Sequence, residues 1–279
     1  MIFEKKKIAI VLTCFNRKKK TETALSTLLS DINEIEYHIF LCDDGSTDGT
    51  SDKIRELWED KVTIIAGSGQ LFWAKGMACA LKEAEKYEPD FYLMINDDVE
   101  FSNNALDIMI DSYSKLDNPM IAITGATKSA NGECTYGGSS DENKGQRWVL
   151  PTPDLNKCEL ANWNCFLIAK ELYQKVGKID DYYEHSYADY DYSNRIYTCG
   201  GMIVVAYDYI GICERNAITG TWMDRSLGIK ERIQKLHKRN GLPIKSQIHY
   251  YRKFQRKNWV AYVIKPYLII LKDLFIKKR

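Results

Sequence analysis

The 279-residue chain lacks the features that staple, export or anchor a protein through a membrane. Its four histidines, His38, His185, His237 and His249, show no zinc-ligand spacing. Its eight cysteines form no CxxC pair. Cys14, Cys42 and Cys165 sit inside apolar runs, so reduced core thiols in a cytoplasmic protein are expected. Met1–Lys7 is charged and has no apolar stretch of the signal-peptide kind. No repeat and no disordered composition is present. A spanning helix needs about 20 mainly apolar residues. The nearest approach, Trp259–Phe275, is interrupted by Lys265, Pro266, Lys272 and Asp273.

The net charge is only +1, but it is unevenly distributed. Residues 225–279 carry sixteen Lys/Arg against two acidic residues, leaving twenty-three basic against thirty-six acidic residues in 1–224. A basic, aromatic-rich amphipathic tail is expected to lie on an anionic membrane surface, at the inner face of the cell membrane. Packing against its own domain or a partner chain is the alternative. No nucleic-acid partner is expected.

What is present is a core-forming composition, 45% hydrophobic. Strand-like runs at Ile8–Thr13, Tyr37–Cys42, Val62–Ala66, Phe91–Ile95 and Met120–Gly125 alternate with helix-like patterns at Lys19–Ser30, Thr47–Trp58, Phe72–Glu85 and Asn103–Leu116. That alternation predicts βαβ units, a mostly parallel sheet with helices on both faces. Thr47 and Ser102 stand where N-caps are expected. Beyond residue 125 the pattern is less regular. Asn131-Gly132 reads as a hairpin turn, Ala161–Ala169 as a strand, Lys170–Val176 and Asp189–Cys199 as helices, and Met202–Tyr207 and Ile210–Cys213 as strands. The expected organisation is a domain over 1–224, with a nucleotide-binding half (1–125) and an acceptor half (126–224), followed by a basic helical tail (225–279).

Two acidic strand ends carry the chemistry. Asn96-Asp97-Asp98 closes the run Phe91–Ile95, and Asp43-Asp44-Gly45-Ser46-Thr47-Asp48 closes an earlier one. Adjacent carboxylates repel, so a cation is expected beside them, and hard divalent ions favour oxygen ligands. In open α/β sheets the strand ends line the ligand crevice, so a metal–diphosphate site is expected there.

With the opening strand Ile8–Arg17 and the later Ala188-Asp189-Tyr190-Asp191, these segments resemble inverting glycosyltransferases of family 2, with the GT-A fold. The resemblance covers roughly residues 7 to 215. Gly67-Ser-Gly-Gln-Leu-Phe-Trp-Ala-Lys-Gly76 is similar to loops of bacterial transferases that build surface polysaccharides, such as rhamnosyl- and galactofuranosyltransferases.

The resemblance implies roles residue by residue. Thr13, Phe15 and Arg17 would hold the nucleotide, with Phe15 offering a face to the base and Arg17 a cation to a phosphate. Asp43 and Asp44 would lie at a uracil- or thymine-reading turn, with Asp44 favoured for the base N3–H. Asp97 would reach the ribose, and Asp98 would bind Mg²⁺ or Mn²⁺ bridging the diphosphate. Gly69 and Trp73 would border the donor sugar, and Trp163 would stack on a sugar. Asp189 would be the catalytic base, with Asp191 as its substitute and Glu184 or His185 after that. A carboxylate at a helix N-terminus is expected to have a lowered pKa. Where many relatives carry a metal-binding histidine, this chain reads Gly211-Ile-Cys-Glu-Arg-Asn216, and Arg215 is the cation expected to neutralise diphosphate there. The Gln-x-x-Arg-Trp pattern of processive members is missing.

The implied activity is non-processive transfer from a UDP- or dTDP-sugar to a saccharide, lipid-linked in a cell-envelope pathway. A nucleotidyltransferase is the enzymatic alternative, but Thr13–Arg17 lacks the glycine-rich loop that holds a triphosphate. Asn96 and Ala188, each replacing a family carboxylate, leave a catalytically inactive scaffold as the non-enzymatic alternative.

Overall fold

The computed structural model describes residues 6–30, 35–116, 118–140 and 147–276; the lead-in at residues 1–5 lies outside them. The first half contains β1 (Lys7–Cys14), α1 (Lys18–Leu28), β2 (Glu36–Asp43), α2 (Thr50–Trp58), β3 (Val62–Ala66), α3 (Phe72–Ala84) and β4 (Phe91–Ile95). Next come β5 (Glu100–Phe101), α4 (Ala105–Ser114), β6 (Ile121–Lys128), β7 (Cys134–Tyr136), β8 (Gly138–Ser139), β9 (Lys157–Cys158) and β10 (Leu160–Ala161). The remainder holds β11 (Cys165–Ala169), α5 (Lys170–Val176), α6 (Ala188–Thr198), β12 (Met202–Ile212), α7 (Ile229–Leu236), α8 (Ile244–Phe254) and α9 (Trp259–Ile276).

The main sheet runs β3-β2-β1-β4-β11-β6-β12-β5, with β7 on β6 and β9 on β12. Strands β1 to β4 are mutually parallel, as βαβ connections require. Strand β11 is inserted antiparallel between β4 and β6, and β12 runs parallel to β6. The sheet is therefore mixed at its centre. The run expected as one strand, Ala161–Ala169, divides into β10 and β11, because residues 162–164 turn into the crevice. The two late strands expected at 202–213 join as β12, with register irregularities around Tyr209.

Successive β1 side chains face opposite sides of the sheet. Ile8, Ile10 and Leu12 join a core with α1 and α4, while Ala9 and Val11 join the core against α3. The tail helices dock on this second core through Tyr250, Tyr251 and Val263. Arg232 of α7 and Asp273 of α9 pair at 2.9 Å, which ties the helical appendage to itself.

Neither expected N-cap operates. Helix α2 starts after Gly49 in the left-handed conformation (φ 79°), and α4 after Asn104. Asp48 does the work foreseen for Thr47: its carboxylate accepts Thr50 N at 3.1 Å and Lys18 N at 2.9 Å, joining the starts of α2 and α1.

Candidate active site

Parallel pairing places the C-terminal ends of β1, β2 and β4 on one edge, and the chain order reverses between β1 and β4. Such a reversal opens a crevice. Because β11 runs the other way, its beginning lands beside the end of β4, and Asn96 N donates to Asn164 O at 3.2 Å. Strand β12 delivers Cys213 to the same edge. The result is a cavity of about 1030 Å³, at the upper end for small-molecule sites.

At one pole lies an acid–guanidinium cluster. Arg17 Nη1 donates to Asp97 Oδ1 at 2.7 Å and to Asp98 Oδ2 at 2.9 Å. Asp97 is buried, and burial pushes its pKa up to about 6; Arg17 works against that shift, and the neighbouring Asp98 adds to it. Phe15 is exposed on the cavity wall, and Thr13 donates its hydroxyl to Cys42 O at 2.9 Å.

Asp44 lines the cavity, but its carboxylate is largely engaged. Oδ1 accepts Gly69 N at 2.7 Å, and Oδ2 accepts Leu71 N and Phe72 N at 2.9 and 3.0 Å. It therefore clamps the loop before α3. A Cβ on Gly67 would lie 2.7 Å from both Asp44 Cα and Oδ1, so only glycine allows this approach. The loop delivers Phe72 (φ 56°) and Trp73 to the cavity, and Trp73 Nε1 donates to Asn96 Oδ1 at 2.9 Å.

At the opposite pole, Asp189 occupies the first turn of α6 and lines the cavity. Asn162 Nδ2 donates to its Oδ2 at 3.3 Å, and Tyr190 N to its Oδ1 at 2.9 Å. The lowered pKa expected at a helix start is not what the structure gives. Desolvation between the cavity walls dominates and raises Asp189 to about 6, against those two hydrogen bonds. His185 faces the cavity too; loss of solvent and the charge of Arg17 lower its pKa. Trp163 is buried in the floor, stacked on Phe166 and edge-on to Trp73.

Five expected site residues are not among those lining the cavity; one of them, Glu184, is paired with Arg239 at 3.0 Å. Asp191 is fully buried, donated to by Arg195 Nε at 2.7 Å, Lys253 Nζ at 2.6 Å and Tyr183 Oη at 3.1 Å. It is a structural charge, because two residues along a helix turn the side chain by about 200°. Arg215 is exposed, donates to Cys134 O and lies over Trp148; Arg17 is instead the cation at the acidic pole. Asp43 accepts Ser46 N at 2.8 Å and the Ser51 hydroxyl, which shapes the turn. Gly69 (φ 80°) serves the loop rather than the wall.

The cavity also uses residues the sequence reading passed over. Asn162, Asn164 and Asn216 line it, and so does the turn His237–Asn240. Within that turn Arg239 bonds Glu184 at 3.0 Å and Gln70 at 2.9 Å, and sits 4.7 Å from the Phe72 ring centroid. It thereby bridges the donor-side loop and the segment before α6. Its charge had been counted only as part of the basic tail.

The Glycosyl transferase family 2 profile matches residues 9–164, more than half of the chain. The protein belongs to glycosyltransferase family 2. No curated protein sequence matches it. Solved structures share its GT-A fold at low identity. The mannosyltransferase PcManGT from Pyrobaculum calidifontis, in complex with GDP-Man and Mn²⁺, is 14% identical with a TM-score of 0.57, over 95% of this chain and 74% of that one. S. aureus TarS 1-349 in complex with UDP is 15% identical with a TM-score of 0.55, over 90% and 73%. GalNAc-T7 with UDP, GalNAc and Mn²⁺ is 12% identical with a TM-score of 0.56, over 92% and 51%.

The glycosyltransferase's residues can be tested for a divalent ion. Among the described residues no three His, Cys, Asp or Glu side chains converge. Cys213 Sγ lies 3.9 Å from Asp98 Oδ1, where relatives are expected to carry a histidine, but burial pushes its thiol up to about 12. Its soft sulfur is a poor match for a hard divalent ion. Asp98 remains, one-fifth exposed, with a single oxygen committed to Arg17. One carboxylate completed by diphosphate oxygens and water is a donor set that suits Mg²⁺ or Mn²⁺.

Proposed function

We propose that this glycosyltransferase moves one sugar per encounter from a UDP- or dTDP-sugar to a saccharide acceptor, inverting the anomeric carbon. The observation carrying the proposal is the pairing, in one cavity, of a charged pole at Arg17, Asp97 and Asp98 with a desolvated carboxylate, Asp189. The UDP in the TarS and GalNAc-T7 structures and the GDP-Man in that of PcManGT support a nucleotide-sugar donor.

In this reading Phe15 offers its face to the base, and a lone pair left on Asp44 accepts the base N3–H. Thr13 borders the nucleotide, and Asp97, anchored by Arg17, takes the ribose hydroxyls. Arg17 also offers charge to the diphosphate. Trp73 flanks the sugar, with Trp163 packed behind it. A divalent ion on Asp98 would supply Lewis-acid stabilisation of the leaving diphosphate. Asp189 accepts the proton of the acceptor hydroxyl as its oxygen forms the new bond to the anomeric carbon. The bond from that carbon to the diphosphate oxygen breaks on the opposite face, and the nucleoside diphosphate leaves with the electron pair. A base with a pKa near 6 is ionised at neutral pH yet still basic enough to assist.

The acceptor in this proposal is lipid-linked, in cell-envelope polysaccharide synthesis, with the enzyme on the inner membrane face. Helix α9 supports it. Val260, Ile264, Leu268 and Leu271 recur at helical spacing and are 44–58% exposed, with exposed Lys265 and Lys272 beside them. No helix among the described residues is long and apolar enough to cross a membrane.

Nucleotide release from UDP- and dTDP-hexoses with Mn²⁺, measured with and without saccharide acceptors, tests the reaction. Acceptor-dependent release, lost in Asp189→Asn, is expected. Selective use of nucleoside triphosphates with release of pyrophosphate would mean a nucleotidyltransferase. Retention of the protein on anionic vesicles at high salt, lost in Ile264→Glu/Leu268→Glu, tests the location.

A further inference from the structure

The proposed reaction leaves two buried polar atoms without a task, each on a residue that lines the cavity. Both belong to the segment between β10 and β11, beside the base. Asn162 Oδ1 is buried and has no hydrogen-bond partner among the described residues. Its orientation is not arbitrary. An ionised carboxylate only accepts, so the amide must turn its NH₂ toward Asp189 Oδ2, 3.3 Å away, and its carbonyl elsewhere. The second atom is Trp163 Nε1, on a residue 1% exposed, whose N–H is also unpartnered. Both residues line the cavity.

A buried unsatisfied donor or acceptor costs about 1–3 kcal/mol each. Two on consecutive residues at a ligand cavity indicate groups held ready for a ligand rather than errors of packing. Asn164, the next residue, is engaged: its Nδ2 faces Cys213 Sγ, and its backbone carbonyl accepts Asn96 N. The free atoms are a carbonyl acceptor and an N–H donor, both neutral. A hydroxyl satisfies either kind, whereas a phosphate, which only accepts, could use the Trp163 N–H but not Asn162 Oδ1.

We propose that Asn162 is a specificity-determining and positioning residue: its N–H₂ fixes the Asp189 carboxylate, and its carbonyl oxygen accepts from a sugar hydroxyl adjacent to the reacting centre. Trp163 Nε1–H donates to a second hydroxyl of the same substrate. The hydroxyl belongs to either the donor ring or the acceptor, two sources of one chemistry. This inference rests on the glycosyltransferase reading above. It makes Asn162 the link between sugar recognition and base geometry, so a sugar with its hydroxyl misplaced leaves a buried carbonyl unpaired beside the base.

The test compares wild type with Asn162→Ala, which loses both functions, and with the near-isosteric Asn162→Asp, which keeps an acceptor oxygen and loses the donor. Calorimetric titration with UDP and dTDP alone should agree within about twofold across all three, showing an intact fold and nucleotide end. Against those values, titration with UDP- and dTDP-hexoses reads the donor ring. If the hydroxyl is the donor's, Asn162→Ala loses about tenfold or more of the extra affinity that the sugar adds, and Asn162→Asp keeps most of it. If it is the acceptor's, donor affinities stay level, and the KM for methyl glycosides in the nucleotide-release assay rises about tenfold or more in Asn162→Ala. In both cases the acid limb of kcat/KM moves to higher pH in Asn162→Ala, because a hydrogen bond favouring ionised Asp189 is gone. It moves further in Asn162→Asp, where a second carboxylate faces the first. A purely structural residue would show neither the split between Ala and Asp nor the moving limb. Sugar-nucleotide affinity, acceptor KM and acid limb all unchanged in Asn162→Ala would overturn the inference alone. A wild type that binds neither diphosphate would overturn the transferase reading as well, and the first titration would show it.

Discussion

The two poles of the cavity reach a similar acidity by different routes. At the donor pole, Asp97 is held near 6 by burial and by Asp98 against the pull of Arg17. At the opposite pole, Asp189 is held near 6 by burial against hydrogen bonds from neutral groups only. The first carboxylate is tied into a charge cluster and suits holding a polar ligand in place. The second has no cation bound to it and can take up a proton without breaking an ion pair. Asp191, on the same helix as Asp189, shows what a cation would do: with Arg195 and Lys253 on its oxygens it is buried and committed to the fold. The partners, more than burial, separate a base from a brace.

That contrast can be broken in four ways. The largest effect is expected from Asp189→Asn, which should lower kcat for transfer by about 10³-fold while leaving nucleotide affinity intact. An equal loss in Asp191→Asn with no loss of stability would reverse the two roles. Asp98→Ala should lower kcat/KM by about 10²-fold, with weaker binding of UDP in the presence of Mn²⁺; full activity would remove the charged pole from the mechanism. Asp191→Ala should cost about 2 kcal/mol of stability in denaturant unfolding, since it removes the buried carboxylate that Arg195 and Lys253 share and leaves them only Val176 O and Asp180.

The smallest effect is one of pH. A carboxylate whose folded pKa lies above its unfolded value favours the folded state most when protonated. Its contribution is full below the ordinary 3.8 and is lost as pH rises through about 6. Asp189→Asn should therefore be close to wild type in stability near pH 4 and exceed it increasingly as pH rises through about 6. The acid limb of wild-type kcat/KM should fall near pH 6. A limb near 4 would mean that Asp189 is solvated and that the poles do not differ as described.

The donor pole was legible in the sequence because each part is local. An apolar run ending in an acidic turn is a strand end in a parallel sheet, and Asn96-Asp97-Asp98 and Asp43–Asp48 both follow that rule. The pairing of Arg17 with Asp97 and Asp98 was not legible there, because it depends on β4 adding beside β1 rather than beside β3. That Asp44 also clamps the loop before α3 was not legible, since the three N–H groups on its carboxylate come from a segment more than twenty residues away. Arg239 was hidden for a different reason. A basic residue in a basic tail carries no sign of which surface it meets, so only docking of the tail on the core shows that it spans Glu184, Gln70 and Phe72.

By itself the sequence determined the βαβ half, the acidic strand ends and the helix that carries Asp189 and Asp191, because hydrophobic period and turn chemistry act over a few residues. Tertiary structure alone decided which of Asp189 and Asp191 meets the cavity, which arginine serves the acidic pole, and that Asn162 stands beside Asp189. Those outcomes depend on the antiparallel insertion of β11 and on the packing of the C-terminal helices. Contacts between distant segments fix desolvation and partner charge, and these in turn set what each carboxylate can do.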